Sequence, residues 1–274
     1  MTLSPVILAH GFLGYRKVFF WEQFAGVEAA LREKGIRSFR SQVHPTAPIN
    51  DRAAELLEQI NRFLGDDSSF HVIGHSMGGL DARYLASPGG LNQGHRILSI
   101  TTLSTPHLGS PIADYFPPFL AHVAAWGALC LRPFTQDRDS RFFLSRLTEP
   151  VWKGLPQLQP AYLHNVFNPA VPDHPQVRYF SYAARRIPGS RTICGRFHRW
   201  IARRYFSDEK ENDGMVAVPS ACWGQFKGIV DADHADLVGI RFFPWTHPTF
   251  DHVGWILAIV DDLAKLESSC AIPG

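Results

Sequence analysis

Phe70-His-Val-Ile-Gly-His-Ser-Met-Gly-Gly-Leu-Asp-Ala-Arg-Tyr84 carries an apolar, β-rich run into a Gly-x-Ser-x-Gly pentapeptide and then into a segment where Leu80, Tyr84 and Leu85 recur at helical spacing. The pattern reads as strand, sharp turn, helix. Ser76 then stands at the apex of a strained turn with its hydroxyl exposed, and Gly74 and Gly78 keep the crossing free of side chains. Ser76 is the candidate nucleophile, and the flanking chain must supply a sheet to carry it.

Upstream, the apolar run Val6–Ala9 stops at His10-Gly11, the mark of a turn leaving a buried parallel strand. Phe20, Phe24, Val27 and Leu31 fall at helical spacing before Gly35, which predicts a first crossover helix. Residues 37–43 read as a strand. Ala53, Leu56, Leu57, Ile60, Phe63 and Leu64 form a second helical stripe, with Asn50 or Asp51 as its N-cap. Downstream, Ile97–Leu103 is strand-like and ends at Ser104-Thr-Pro-His-Leu-Gly-Ser110, and residues 177–183 resume the sheet. Val253, Ile256, Leu257, Val260, Leu263 and Ala264 end the pattern as an amphipathic helix. Strands alternating with helices imply right-handed βαβ units, hence an α/β class with a mostly parallel central sheet covered on both faces.

The 274 residues, 45% hydrophobic, are read as one domain spanning 1–274. A net charge of +2 gives no long-range field that would commit the chain to nucleic acid. Cys130, Cys194, Cys222 and Cys270 lack C-x-x-C spacing, which argues against zinc and against a dense disulfide framework, leaving room for one bridge. The N-terminus enters a strand within a few residues and reads without a signal peptide, and no run reaches the ~18 uncharged apolar residues of a membrane span.

Between 111 and 175 the alternation lapses. Tyr115, Phe116, Phe119, Leu120, Val123, Trp126 and Leu129 are apolar with few charges nearby, while Pro and Gly break the stretch into short helices. Two readings stand: ordinary core helices, or a helical lid that hides apolar surface until a lipid phase accepts it. Residues 184–206 hold Arg185, Arg186, Arg191, Arg196, Arg199, Arg203 and Arg204 with no acid. They read as a solvated face paired with Asp208, Glu209 and Glu211, or as a surface drawn to anionic lipid.

A serine hydroxyl needs a base at neutral pH, and the base needs a carboxylate to fix its tautomer. Asp213, in a turn after a late strand, and His234, in a loop after the last one, would project from the same sheet edge as Ser76. His247 and His252 compete for the base, and Asp208, Asp231, Asp233 and Asp236 for the acid; His75 is read as a pocket or core residue. The amides of Phe12 and Met77 are the natural pair of oxyanion donors. Around His234 the acids fail the calcium-loop spacing and offer no second histidine for zinc.

Residues 5–14 (Pro-Val-Ile-Leu-Ala-His-Gly-Phe-Leu-Gly), 74–84, 104–110, Asn212-Asp-Gly-Met-Val216 and Asp233-His-Ala-Asp236 together resemble the bacterial triacylglycerol lipases of the α/β-hydrolase superfamily. The likeness is loose from 111 to 206. It implies an α/β-hydrolase fold with an inserted helical lid, placed here at 111–175, a triad of Ser76, Asp213 and His234, and an oxyanion hole framed by Phe12 and Met77. It also implies a lipid or ester substrate met at a lipid–water interface. Such lipases carry a structural calcium ion, to which Asp236 would correspond as one ligand. The second acidic position falls in the arginine stretch, so little calcium dependence and no required cofactor are expected. A short-chain carboxylesterase or acyl-thioesterase would use the same triad, and a non-catalytic hydrolase-fold binding protein is the reading from another class.

Overall fold

The computed structural model describes residues 3–65, 68–115, 119–148, 152–186, 211–240 and 250–269, with the backbone of Cys270. Six strands, all parallel, form the central sheet: β1 (Val6–Ala9), β4 (Ser38–Arg40), β5 (Phe70–His75), β6 (Ile97–Leu103), β7 (Arg178–Arg185) and β8 (Gln225–Asp231), in the spatial order β4-β1-β5-β6-β7-β8. The chain runs from β1 outward to β4 and then crosses back to β5 on the other side of β1. The strand order thus reverses between β1 and β5, and their following loops diverge to leave a crevice at the carboxyl ends. Register brings those ends level, with Ala9 opposite Gly74 and His75 opposite Leu103.

Both faces of the sheet are covered. On one, α1 (Val27–Glu33) and the last helix, His252–Cys270, bury Val27, Leu31, Ile256 and Val260 against Val6, Leu8 and Ile73. On the other, α2 (Ile49–Leu64) and α3 (Met77–Ala86) bury Leu56, Ile60, Ala82 and Leu85 against Ile7, Val72 and Ile100. Alternate residues of β1 therefore serve different cores, as a strand buried on both faces requires.

The expected helix through Phe20 and Phe24 is shorter than its spacing suggests. A hairpin of β2 (Lys17–Val18) and β3 (Trp21–Glu22) takes up Phe20 at its turn, where it is exposed. Phe24 is buried ahead of α1 at φ 54°, which no helical residue adopts. Asn50 and Asp51 do not cap α2; Pro48 holds the cap position and both lie inside the first turn. Residues 37–43 contribute only Ser38–Arg40 to the sheet, after which the Ser41 amide still donates to Leu8 O at 2.9 Å.

The stretch 111–175 divides in two. Leu158, Leu163, Phe167 and Val171 pack with Met77 and Leu80 as core beneath the nucleophile helix. α4 (Ile112–Tyr115) adds Ala113 to that core, while α5 (Phe119–Leu131) and α6 (Arg138–Leu147) form a thinner layer. Its own small core joins Ala128, Leu144 and Leu147 to Leu13, Phe19 and Phe143. Asp137 caps α6 through the Ser140 amide at 2.8 Å, and the Ser140 hydroxyl accepts from the Phe19 amide at 2.7 Å, which fastens this layer to the hairpin region. In α5 the alanines 121, 125 and 128 face inward while Phe119, Val123, Trp126 and Leu129 face out, with Trp126 71% exposed. Phe116 lies outside the described residues. Among those described, no helix is long and apolar enough to cross a membrane.

Candidate active site

β5 delivers the chain to Ser76 with every residue buried, and α3 begins at the next residue. Ser76 turns the corner at φ 55°, ψ −130°, a conformation costly for any residue with a Cβ and one that persists only where its surroundings enforce it. The enforcement is visible. The Ser76 amide donates to Leu103 O at 3.0 Å, and Ser76 O accepts from the Gly79 amide at 3.0 Å and the Thr105 hydroxyl at 2.8 Å. A Cβ on Gly74 would sit 2.7 Å from Gly79 Cα, and one on Gly78 would collide with Ala9 O. These two glycines let strand and helix cross this closely.

His234 lies three residues past β8 and Asp213 in the Asn212–Ala217 turn. His234 Nδ1 donates to Asp213 Oδ2 at 2.7 Å, and the His234 amide donates to Asp213 O at 3.1 Å. Asp213 is fully buried; its Oδ1 accepts from the Met215 and Val216 amides at 2.9 and 2.7 Å. Burial alone would push this carboxyl up. The charge and hydrogen bond of His234, together with the two amides, outweigh it and hold the group below its ordinary value, so it is ionised at neutral pH.

His252, a competing histidine, opens the last helix and donates through Nε2 to Ala25 O at 2.8 Å, a packing role away from Ser76; His247 lies outside the described residues, as does Asp208. Of the competing acids, Asp231 pairs with Arg185 at 2.8 Å and Asp233 with Arg186 at 3.2 Å. His75 is buried under the site. Its Nε2 donates to His234 O at 2.9 Å and its ring stands 4.5 Å from that of His234. Burial first, then the neighbouring His234, holds His75 well below the usual histidine range, so it stays neutral.

The Phe12 and Met77 amides flank the same crevice. Among the described residues neither donates to a protein acceptor. Met77 is the first residue of α3, where an N–H is free by geometry. Gly11 lets the first loop approach: a Cβ there would stand 2.6 Å from Ser76 Cβ. Behind it, His10 Nε2 accepts from the Val43 amide at 3.2 Å, leaving the proton on Nδ1 to donate to Gly11 O at 3.0 Å. Burial, aided by the Arg52 charge, lowers His10 to about 3.

Sequence reasoning passed over Arg52. It is 0% exposed, on α2, and pairs with the equally buried Asp81 of α3 through Nε and Nη2 at 3.0 and 2.7 Å. Its remaining donors reach His44 O and His10 O, both at 2.7 Å. An aspartate inside a segment otherwise buried throughout was the available signal, because such an acid needs a cation beside it.

Ser76, His234 and His75 line one cleft of about 340 Å³ with Phe12, Leu13, Ile112, Leu155, Leu158, Met215 and Ile240. The walls are apolar and the polar groups few. A divalent ion at Asp236 finds a poor fit: its Oδ2 accepts from the Asp233 amide at 3.2 Å, and Asp233 itself is held by Arg186. No cluster of three or more His, Cys, Asp or Glu with metal-binding geometry occurs among the described residues, and the expected second acidic position lies outside them. Of the arginine stretch only Arg185 and Arg186 are described, and Arg185 pairs with Glu211 as well as Asp231, as a solvated face would.

Residues 6–249 match the model of the alpha/beta hydrolase family. Over 262 residues the chain is 31% identical to Triacylglycerol lipase 2 of Saccharomyces cerevisiae, covering 89% of this chain and 74% of that protein. A triacylglycerol lipase of Pseudarthrobacter phenanthrenivorans is 31% identical over 173 residues, which span 54% of this chain and 51% of the bacterial protein. Among solved structures, Staphylococcus hyicus lipase matches 97% of this chain and 96% of its own with a TM-score of 0.74 at 19% identity, a likeness of fold.

Proposed function

The chain belongs to the alpha/beta hydrolase family, and from that premise we propose that it is a serine hydrolase of carboxylic esters that acts on acylglycerols with medium or long chains. One observation carries the reading: a buried, ionised Asp213 orients His234 in the same apolar cleft that exposes the strained Ser76. In this reading Ser76 Oγ attacks the ester carbonyl while His234 Nε2 takes its proton, the imidazolium being stabilised by Asp213. The oxyanion is received by the amides of Phe12 and Met77, each such donor contributing roughly 3–4 kcal/mol in comparable sites. Collapse breaks the C–O bond, and His234 returns the proton to the departing alcohol. Water, activated by the same base, then attacks the acyl-enzyme and releases the acid. A cleft walled by Phe12, Leu155 and Leu158 suits a hydrocarbon chain.

Ser76→Ala should lower kcat by about four to six orders of magnitude while the fold is retained. An organophosphonate should label Ser76 alone; full activity in the variant would end the reading. Rates on esters of graded chain length, with and without an emulsion, separate a lipase from a short-chain esterase or thioesterase. Interfacial activity is proposed for α5, whose outward apolar face transferred to lipid would gain ~25 cal/mol per Å². No calcium requirement is proposed, because Asp236 already serves a backbone amide. Chelation that lowers the melting temperature by several degrees would refute that part.

A further inference from the structure

Among the described residues His234 makes three hydrogen bonds, and two of them end on one residue. Its amide donates to Asp213 O at 3.1 Å and its Nδ1 to Asp213 Oδ2 at 2.7 Å. Two such points define an axis and do not by themselves stop the residue turning about it. The third bond comes from elsewhere in the sheet. His234 O accepts from His75 Nε2 at 2.9 Å, and His75 ends β5, which β6 and β7 separate from β8. A third point off the axis removes the turn.

The chemistry of His75 suits that task. A carbonyl only accepts, so the proton must sit on Nε2, and Nδ1 is left as the bare acceptor; Nδ1 is indeed the ring atom without a partner. Burial first, and then the neighbouring His234, keeps the ring neutral, so it puts no second positive charge beside the imidazolium that forms on the base. Ser76 follows His75 directly, and its amide is held by Leu103 O at 3.0 Å. The strand end that presents the nucleophile therefore also supplies the third bond to the base.

We infer that His75 is a positioning residue: its bond to the His234 carbonyl fixes the rotation of the base relative to Ser76, so that nucleophile and base keep their separation when the loop after β8 moves. The inference rests on the hydrolase reading above and gives the nucleophile turn control of its own base. His75 itself handles no proton of the reaction. Its contribution is the alignment of His234 Nε2 with the serine hydroxyl, where a displacement of about 1 Å can cost roughly a hundredfold in rate.

The test compares three variants on an ester below its solubility limit, so that no interface contributes. His75→Leu keeps the bulk and loses the donor; His75→Gln sets an amide nitrogen about where Nε2 stands; His75→Asn carries the same amide one methylene short. Acylation and deacylation use the same base, so kcat and kcat/KM should fall together in His75→Leu and His75→Asn, by about ten- to a hundredfold, with KM within about twofold of wild type. His75→Gln should return to within about fivefold of wild type. Wild-type kcat in His75→Leu overturns the inference, as does a loss confined to KM. Where His75→Leu does not fold, the two amides decide: equal kcat in His75→Asn and His75→Gln overturns it. Wild type labelled at Ser76 by organophosphonate, with His75→Leu labelled as fast, overturns it alone; a wild type neither labelled nor active overturns the hydrolase reading and takes this inference with it.

Discussion

α3 and α5 invert each other's rules of burial. Nine of the ten residues of α3 are buried, including Asp81 and Arg83, whereas α5, without one charged residue, buries only three alanines of its thirteen. What decides burial is the presence of partners. Asp81 has Arg52; Arg83 has Asn168 Oδ1 at 2.9 Å and the Trp223 ring face at 3.6 Å. Trp126 and Phe119 have nothing above them among the described residues. The first region uses its polar groups to fix a geometry, and the second leaves its apolar side chains exposed, which is the face proposed above to meet lipid.

The sharpest way to break this contrast is Arg52→Met. It strands Asp81 in the interior and releases His10 O and His44 O, for a loss of about 3–5 kcal/mol and a melting temperature lower by roughly 10 °C. Denaturant unfolding within about 1 kcal/mol of wild type would mean the pair does not hold the region together.

Acid should act on the same region next. Unfolded histidines take up protons near pH 6.5, but His10 in the folded chain resists down to about 3. Below pH ~6.5 the unfolded state therefore binds the extra proton, and stability present above that pH drains at about 1.4 kcal/mol per pH unit for this group until about 3. His75 and His107, also lowered by burial, pull the same way. Melting temperature followed from pH 7 to pH 4 in wild type and His10→Gln checks it: the substitution should flatten the slope.

The smallest effect on folding belongs to α5. Converting Phe119, Val123 and Trp126 together to serine should change stability by no more than about 0.5 kcal/mol, as exposed positions do. The rate on emulsified ester should fall severalfold while that on a soluble ester holds. Unfolding of the triple variant would show that these side chains belong to a core, and the contrast between the helices would collapse.

Much of the first region is legible in the sequence. The run into Gly74-His-Ser-Met-Gly78 specifies its turn because only glycines pass a strand over a helix so closely, and β1, β6 and the last helix follow from local periodicity. Asp213 and His234 are found by chain order and turn position, and the structure brings them to 2.7 Å. What escapes is non-local. Arg52 sits on α2 at a place indistinguishable from a solvent-facing arginine, since its partner is 29 residues away. Phe20 lies inside a spurious helical spacing that the hairpin at 17–22 breaks. The division of 111–175 into core and outer layer depends on what packs against Met77, which no window of sequence contains.

Arg52 also sets a tolerance. One guanidinium fastens α2 to the loop bearing Phe12, through His10 O, and to the helix beginning at Met77, through Asp81. Any shift of α2 therefore displaces both candidate oxyanion donors in common, as two plates on one bolt travel together. The gap between them is thereby indifferent to a shift of α2, so that helix can settle against its neighbours without detuning the spacing on which the chemistry depends.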